Sequence, residues 1–133
     1  LLGADLSGKT VAIWGLAFKP KTDDMREAPA LNIIHGLQQA GATIRAFDPV
    51  AQEVAIKLLR NVTYTSTSFE AAQGADCLVI ITEWDEFRQL DLGKLKRTLG
   101  APNVVDGRNV YDLDEMRELG FNYISVGRPA VRP

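Results

Sequence analysis

Lys19, Lys21 and Arg26 share one segment with Asp23, Asp24 and Glu27, running from Gly15 to Ala30 as GLAFKPKTDDMREAPA. Ammonium and guanidinium groups grip phosphate oxygens through charge-assisted hydrogen bonds. Lys19 follows the preceding apolar run most closely and is the candidate phosphate donor. The alternative is a solvated loop charge, which describes most loop lysines. Asp23 and Asp24 read better as partners of Arg26 that stiffen the loop, because a carboxylate beside a phosphate repels it. Phe18 either stacks on a sugar or base or plugs the core, and the residue alone favours the core. A second cationic segment is Asp106-Gly107-Arg108-Asn109. Gly107 permits a sharp exit and Arg108 can point into a crevice; the alternative is an Asx-type turn with an exposed arginine.

The inventory for covalent or metal chemistry is thin. His35 is the single histidine and falls inside a helical stretch, and Cys77 is the single cysteine, at the start of an apolar run. No Ser-His-Asp, Cys-His or metal-ligand cluster can be assembled, so no catalytic residue and no metal are assigned. Either the chain binds without reacting, or the chemistry lies in residues outside it.

Hydrophobic patterning supplies the elements that must position these groups. Thr10 to Trp14 reads as a strand, Ala30 to Ala40 as a helix stopped by Gly41, and Thr43 to Phe47 as a strand ending at Asp48-Pro49. Gln52 to Leu59 reads as a helix and Val62 to Tyr64 as a brief strand. Another helix begins at Ser68, with Ser68 as N-cap and Gly74 beyond its end. Cys77 to Ile81 is a continuous apolar run, expected as a central strand buried on both faces. Glu83 to Leu90 is a turn or short helix whose Trp84 and Phe87 pack. Leu92 to Leu99 is helical, Asn103 to Val105 a strand, Asp112 to Leu119 a helix capped by Asp112, and Tyr123 to Val126 the last strand. Strands alternating with helices imply an α/β, Rossmann-like, doubly wound and mainly parallel sheet in a single domain. Residues 9–127 form this domain, residues 1–8 read as a leader or linker remnant, and 128–133 as an exposed tail.

In such a sheet ligands bind outside the carboxyl ends of the strands. A plain strand-to-helix loop needs only about two to six residues, so the longer charged segment after Trp14 is the place to look for function. It is not a dinucleotide fingerprint. That motif needs three glycines, whereas Ala17 and Pro20 occupy the second and third positions after Gly15. Asp48, after the second strand, resembles a ribose-binding acid, yet Asp-Pro is also a common turn.

Composition narrows the classes further. The 133 residues carry a net charge of −2, which argues against general nucleic-acid affinity. No apolar run approaches the roughly 18 residues of a membrane span. A single cysteine fits a reducing, cytoplasmic setting. The chain opens Leu1-Leu2-Gly3-Ala4 without Met and reads as part of a longer protein.

The segment GLAFKPKTDDMREAPA, with Arg45-Ala46-Phe47-Asp48-Pro49, the TEWDEF segment from Thr82 and the DGRN segment from Asp106, resembles the nucleotide-sugar dehydrogenases of the UDP-glucose/GDP-mannose family. The likeness covers roughly Gly8 to Arg128 and is to the C-terminal nucleotide-sugar-binding domain. The wording is most similar to the bacterial UDP-glucose 6-dehydrogenases; GDP-mannose and UDP-N-acetylhexosamine dehydrogenases share the outline. The resemblance implies oxidation of UDP-glucose to UDP-glucuronate with two NAD+. An N-terminal NAD-binding domain, a catalytic cysteine and a long central helix that carries much of a homo-oligomer contact would all lie outside these residues. It further implies that Phe18, Lys19 and Arg108 contact the nucleotide sugar, and that Arg26 reaches NAD held by the other domain. Arg26 owes that role to the resemblance alone. A reading from a different class is a free-standing nucleotide-binding module without enzymatic activity.

Overall fold

The computed structural model describes residues 5–17, 25 and 28–132. Among the described residues, six strands form one sheet: β1 (Thr10–Trp14), β2 (Thr43–Phe47), β3 (Val62–Tyr64), β4 (Cys77–Ile80), β5 (Asn103–Asp106) and β6 (Asn122–Ser125). Six helices among the same residues connect them: α1 (Pro29–Gln39), α2 (Gln52–Leu58), α3 (Ser68–Ala72), α4 (Asp85–Arg88), α5 (Leu92–Thr98) and α6 (Leu113–Glu118). The strand order is β3-β2-β1-β4-β5-β6, and every neighbouring pair is parallel. This is the doubly wound sheet expected from the sequence.

Alternation along β1 divides the core. Val11 and Ile13 face α1 and α2 with Ile44, Ala46, Ile34 and Ala55, while Ala12 and Trp14 face α3, α4 and α5 with Ala71, Phe87 and Leu95. Trp14 is fully buried, stacks on Phe87 with ring centroids 4.9 Å apart, and donates its indole N–H to the Ser68 carbonyl at 2.9 Å. Each buried aromatic of this kind removes a large apolar area from water while its polar edge stays paired. Phe87 therefore packs, as the aromatic loop suggests.

Local chemistry sets the helix ends. Proline at the first position of α1 has no N–H to leave unpaired and a φ already suited to a helix. Asp112 caps α6 by accepting the Glu115 N–H at 3.1 Å, as expected. At α3 the cap is one residue earlier than predicted: Thr67, not Ser68, accepts the Glu70 N–H at 3.1 Å, and Ser68 is the first helical residue.

Two further expectations change. Val79 in β4 is half-buried, because the three helices that follow β4, α4, α5 and α6, pack on the Trp14 face and leave the other face of β4 and β5 thinly covered. The segment after Gly127 is not wholly exposed. Val131 is 1% exposed and pairs antiparallel with Tyr123, exchanging N–H···O bonds of 2.8 and 2.9 Å. Among the described residues, no helix is long and apolar enough to cross a membrane.

Candidate functional site

The chain leaves β1 toward β2 on one side and leaves β4 toward β5 on the other, so the loops after β1 and β4 diverge at the carboxyl edge. Such a divergence opens a crevice. Gly15 sits at its floor with φ +94, a conformation that L side chains rarely adopt. Its missing side chain matters sterically as well, since a Cβ would lie 2.5 Å from the Thr82 Cβ. Thr82, fully buried, donates its hydroxyl to the Ala17 carbonyl at 2.6 Å and so ties the two diverging loops together.

Asp48 lies below the same loop. One carboxylate oxygen accepts the Leu16 N–H at 2.7 Å; the other accepts the N–H groups of Val50 and Ala51, each at 2.8 Å. It is 3% exposed. Its acceptors are spent on main-chain donors, of which those of Leu16 and Ala51 would otherwise be buried without partners. A ribose-binding acid would need a free carboxylate edge in the crevice, and Asp48 presents none. With Ala17 also replacing the second fingerprint glycine, the β1–α1–β2 unit does not fit an NAD site of its own.

Arg108 is placed beside that crevice. Its Nε donates to the Ile81 carbonyl at 2.8 Å and stands 3.6 Å from a Glu83 carboxylate oxygen; about 28% of the side chain is exposed. A cleft of about 380 Å³ opens next to it, lined by Pro29, Ile33, Val79, Ile81 and Val105 as well as Arg108. The cleft joins an apolar wall to a cationic rim, a combination suited to a ligand with an apolar body and an anionic group. Asp106 builds the turn that presents Arg108: one oxygen accepts the Arg108 N–H at 2.9 Å, the other the Val110 N–H at 2.6 Å. The Asx-type turn considered for this segment is therefore present, and it holds the arginine at the edge. The left-handed residue in it is Asn109, with φ 55. Gly107 contributes room instead, its N–H bonding to the Ile80 carbonyl at 2.9 Å with 3.2 Å between that oxygen and the position of a Cβ.

Of the residues singled out in the sequence, Arg108 is thus at the carboxyl edge. Phe18, Lys19 and Arg26 lie outside the described residues, as do Lys21, Asp23, Asp24 and Glu27. Cys77 is buried, and burial pushes its thiol up to about 11, so it is a neutral core residue at ordinary pH. Among the described residues no cluster of histidine, cysteine, aspartate or glutamate could hold a metal ion. Sequence reasoning missed Thr82 and Tyr123. Tyr123 donates its hydroxyl to Asp106 at 2.6 Å, a contact between residues 17 apart that no local pattern announces.

Residues 12–113 match the UDP-glucose/GDP-mannose dehydrogenase family, UDP binding domain. The chain is 49% identical over 127 residues to a UDP-glucose 6-dehydrogenase of Rhizobium meliloti, covering 96% of this chain and 29% of that protein. It is 44% identical to the UDP-glucose 6-dehydrogenase TuaD of Bacillus subtilis, covering 96% of this chain and 28% of that one. Among solved structures, the NDP-N-acetyl-D-galactosaminuronic acid dehydrogenase of Methanosarcina mazei superposes with a TM-score of 0.80 at 29% identity, over 96% of this chain and 26% of that one. The chain thus spans under a third of the length of these relatives. It belongs to the UDP-glucose/GDP-mannose dehydrogenase family and corresponds to its UDP binding domain.

Proposed function

We propose that this chain is the nucleotide-sugar-holding part of an NAD-dependent UDP-glucose 6-dehydrogenase, which oxidises UDP-glucose to UDP-glucuronate. The observation that carries the proposal is the Arg108 guanidinium, anchored through Nε to the Ile81 carbonyl at the mouth of the carboxyl-edge crevice. An arginine held this way loses little further freedom when it meets a phosphate or sugar oxygen. Lys19 would join it on the substrate, Phe18 would shape the pocket, and Arg26 would reach NAD across the cleft. NAD would be held mainly by another domain, in keeping with the spent acceptors of Asp48. UDP-glucose is favoured over other nucleotide sugars by the 49% and 44% identities to UDP-glucose 6-dehydrogenases.

Kinetics of the intact protein test this reading. Arg108→Ala and Lys19→Ala should each lower kcat/KM for UDP-glucose by tenfold or more, on the scale of about 1.4 kcal/mol per decade. An unchanged kcat/KM would remove the substituted residue from the substrate site. Turnover of UDP-glucose should exceed that of GDP-mannose and of UDP-N-acetylhexosamines. The 133-residue chain alone should not reduce NAD+, and reduction by a pure sample would contradict the division of labour.

A further inference from the structure

Asp106 is fully buried, yet the side chain it supports, Arg108, turns away from it toward Ile81 and Glu83. The buried carboxylate draws its compensation from elsewhere. The Tyr123 hydroxyl donates to it at 2.6 Å, and the oxygen of that hydroxyl accepts from a terminal guanidinium nitrogen of Arg128 at 2.7 Å. The remaining contacts of Arg128 fix its plane: Nε donates to the Ser125 hydroxyl at 2.8 Å, the other terminal nitrogen donates to the Tyr111 carbonyl at 3.0 Å, and the guanidinium carbon lies 5.5 Å from the Tyr123 ring centre. Arg128 reaches this position because the chain turns at Gly127, φ +70, and runs back along β6 to the Val131–Tyr123 bridge.

A cation, a hydroxyl and a carboxylate are therefore linked in series, and the carboxylate ends on the main-chain N–H groups of the Arg108 turn. A buried carboxylate without such compensation is costly, and relief comes from taking up a proton, which weakens it as an acceptor, or from opening toward water. Opening would release the Arg108 and Val110 amides and move the Arg108 backbone.

We propose that Arg128 is a positioning residue for nucleotide-sugar binding: with Tyr123 it forms a strap that holds Asp106, and through Asp106 the Arg108 turn, in register with the crevice. The proposal rests on the reading of Arg108 as a substrate contact. The strap differs from a general stabiliser in its target, which is one turn at the rim of the site.

Two measurements on the intact protein decide it. In calorimetric titration with UDP, Arg128→Met should weaken binding about tenfold where Arg108 is present and less than twofold in the Arg108→Ala background, since coupled residues lose additivity. In amide hydrogen exchange, the Arg108 and Val110 amides should exchange at least tenfold faster in Arg128→Met, while those of Ile44 and Ala46 in β2 keep their protection. Tyr123→Phe, which removes one oxygen and keeps the ring, should give the same pattern and serves if Arg128→Met does not fold. Equal loss of UDP affinity in both backgrounds, or unchanged exchange at Arg108 and Val110, would overturn the strap. Absence of UDP binding by the unsubstituted protein would sink the reading of Arg108 and leave the exchange result to judge the strap alone.

Discussion

A Cβ placed on Gly15 would lie 2.5 Å from the Cβ of Thr82, so the loops after β1 and β4 touch backbone against side chain at the point where they part. The contact sits directly under the crevice. Gly15→Ala would have to move Thr82, including its main-chain nitrogen 2.6 Å from the new atom, and would also force a φ of +94 on an alanine. Backbone strain of about 1–3 kcal/mol and overpacking of similar size add here. The expected loss is about 3 kcal/mol or more in urea unfolding. A loss below about 0.5 kcal/mol would mean that the two loops separate freely.

Asp48→Ala separates a structural acid from a ligand-binding one. The substitution leaves the N–H groups of Leu16, Val50 and Ala51 without their acceptor. The Leu16 and Ala51 donors are buried, and buried donors left unpaired cost about 1–3 kcal/mol each. Unfolding free energy should drop by several kcal/mol. Intact stability together with lost nucleotide affinity would instead place Asp48 on a ligand.

Glu83 competes for Arg108. Its carboxylate oxygen lies 3.6 Å from the Arg108 Nε, and both side chains are a little under 30% exposed. An anionic ligand arriving at Arg108 meets that negative charge as well. Pairs of this kind are worth about 0–1 kcal/mol. Glu83→Gln should therefore tighten UDP binding by about two- to fivefold at fixed ionic strength, read by calorimetric titration. Weaker binding in the variant would show that Glu83 orients the guanidinium rather than opposing the ligand.

Alkaline pH should destabilise the fold through Cys77. Burial raises its thiol from the ordinary 9.0 to about 11, so the folded chain keeps the proton longer than the unfolded chain does. The resulting stability is fully present below about pH 9 and is lost as pH climbs to about 11. At about 1.4 kcal/mol per pH unit this amounts to on the order of 2–3 kcal/mol. Burial, with Asp106 nearby, also raises Tyr111 and Tyr123, which steepen the fall at the upper end. Urea unfolding at pH 8 and pH 11 should show a smaller difference for Cys77→Ala than for the unsubstituted chain. Equal differences would mean that the thiol is already ionised or solvated in the folded state.

Legibility in the sequence followed the range of the contacts. The apolar runs of β1 and β4 and the Asp112 cap of α6 depend on neighbours a few residues away, and the structure has them where the pattern puts them. The α3 cap slipped by one residue because Thr67 and Ser68 offer the same hydroxyl chemistry, and only backbone geometry selects the one that reaches the Glu70 amide. Asp48 was ambiguous for a similar reason. A carboxylate after β2 serves a ribose or a turn equally well until the Leu16 amide, 32 residues away, is brought to 2.7 Å.

By itself the sequence determined a parallel α/β sheet, through strand runs that alternate with helical periods, and it marked Arg108 as a cation on a loop at the carboxyl edge. Both follow from local hydrophobic patterning, which dictates where the chain turns. Tertiary structure alone decided what surrounds Arg108: the Ile81 carbonyl that anchors it, the Glu83 carboxylate beside it, and the Asp106–Tyr123–Arg128 series behind its turn. Asp106, Tyr123 and Arg128 come from different segments. The need to pair a buried carboxylate makes them a unit only once β5 and β6 lie side by side and the chain after Gly127 has folded back over them.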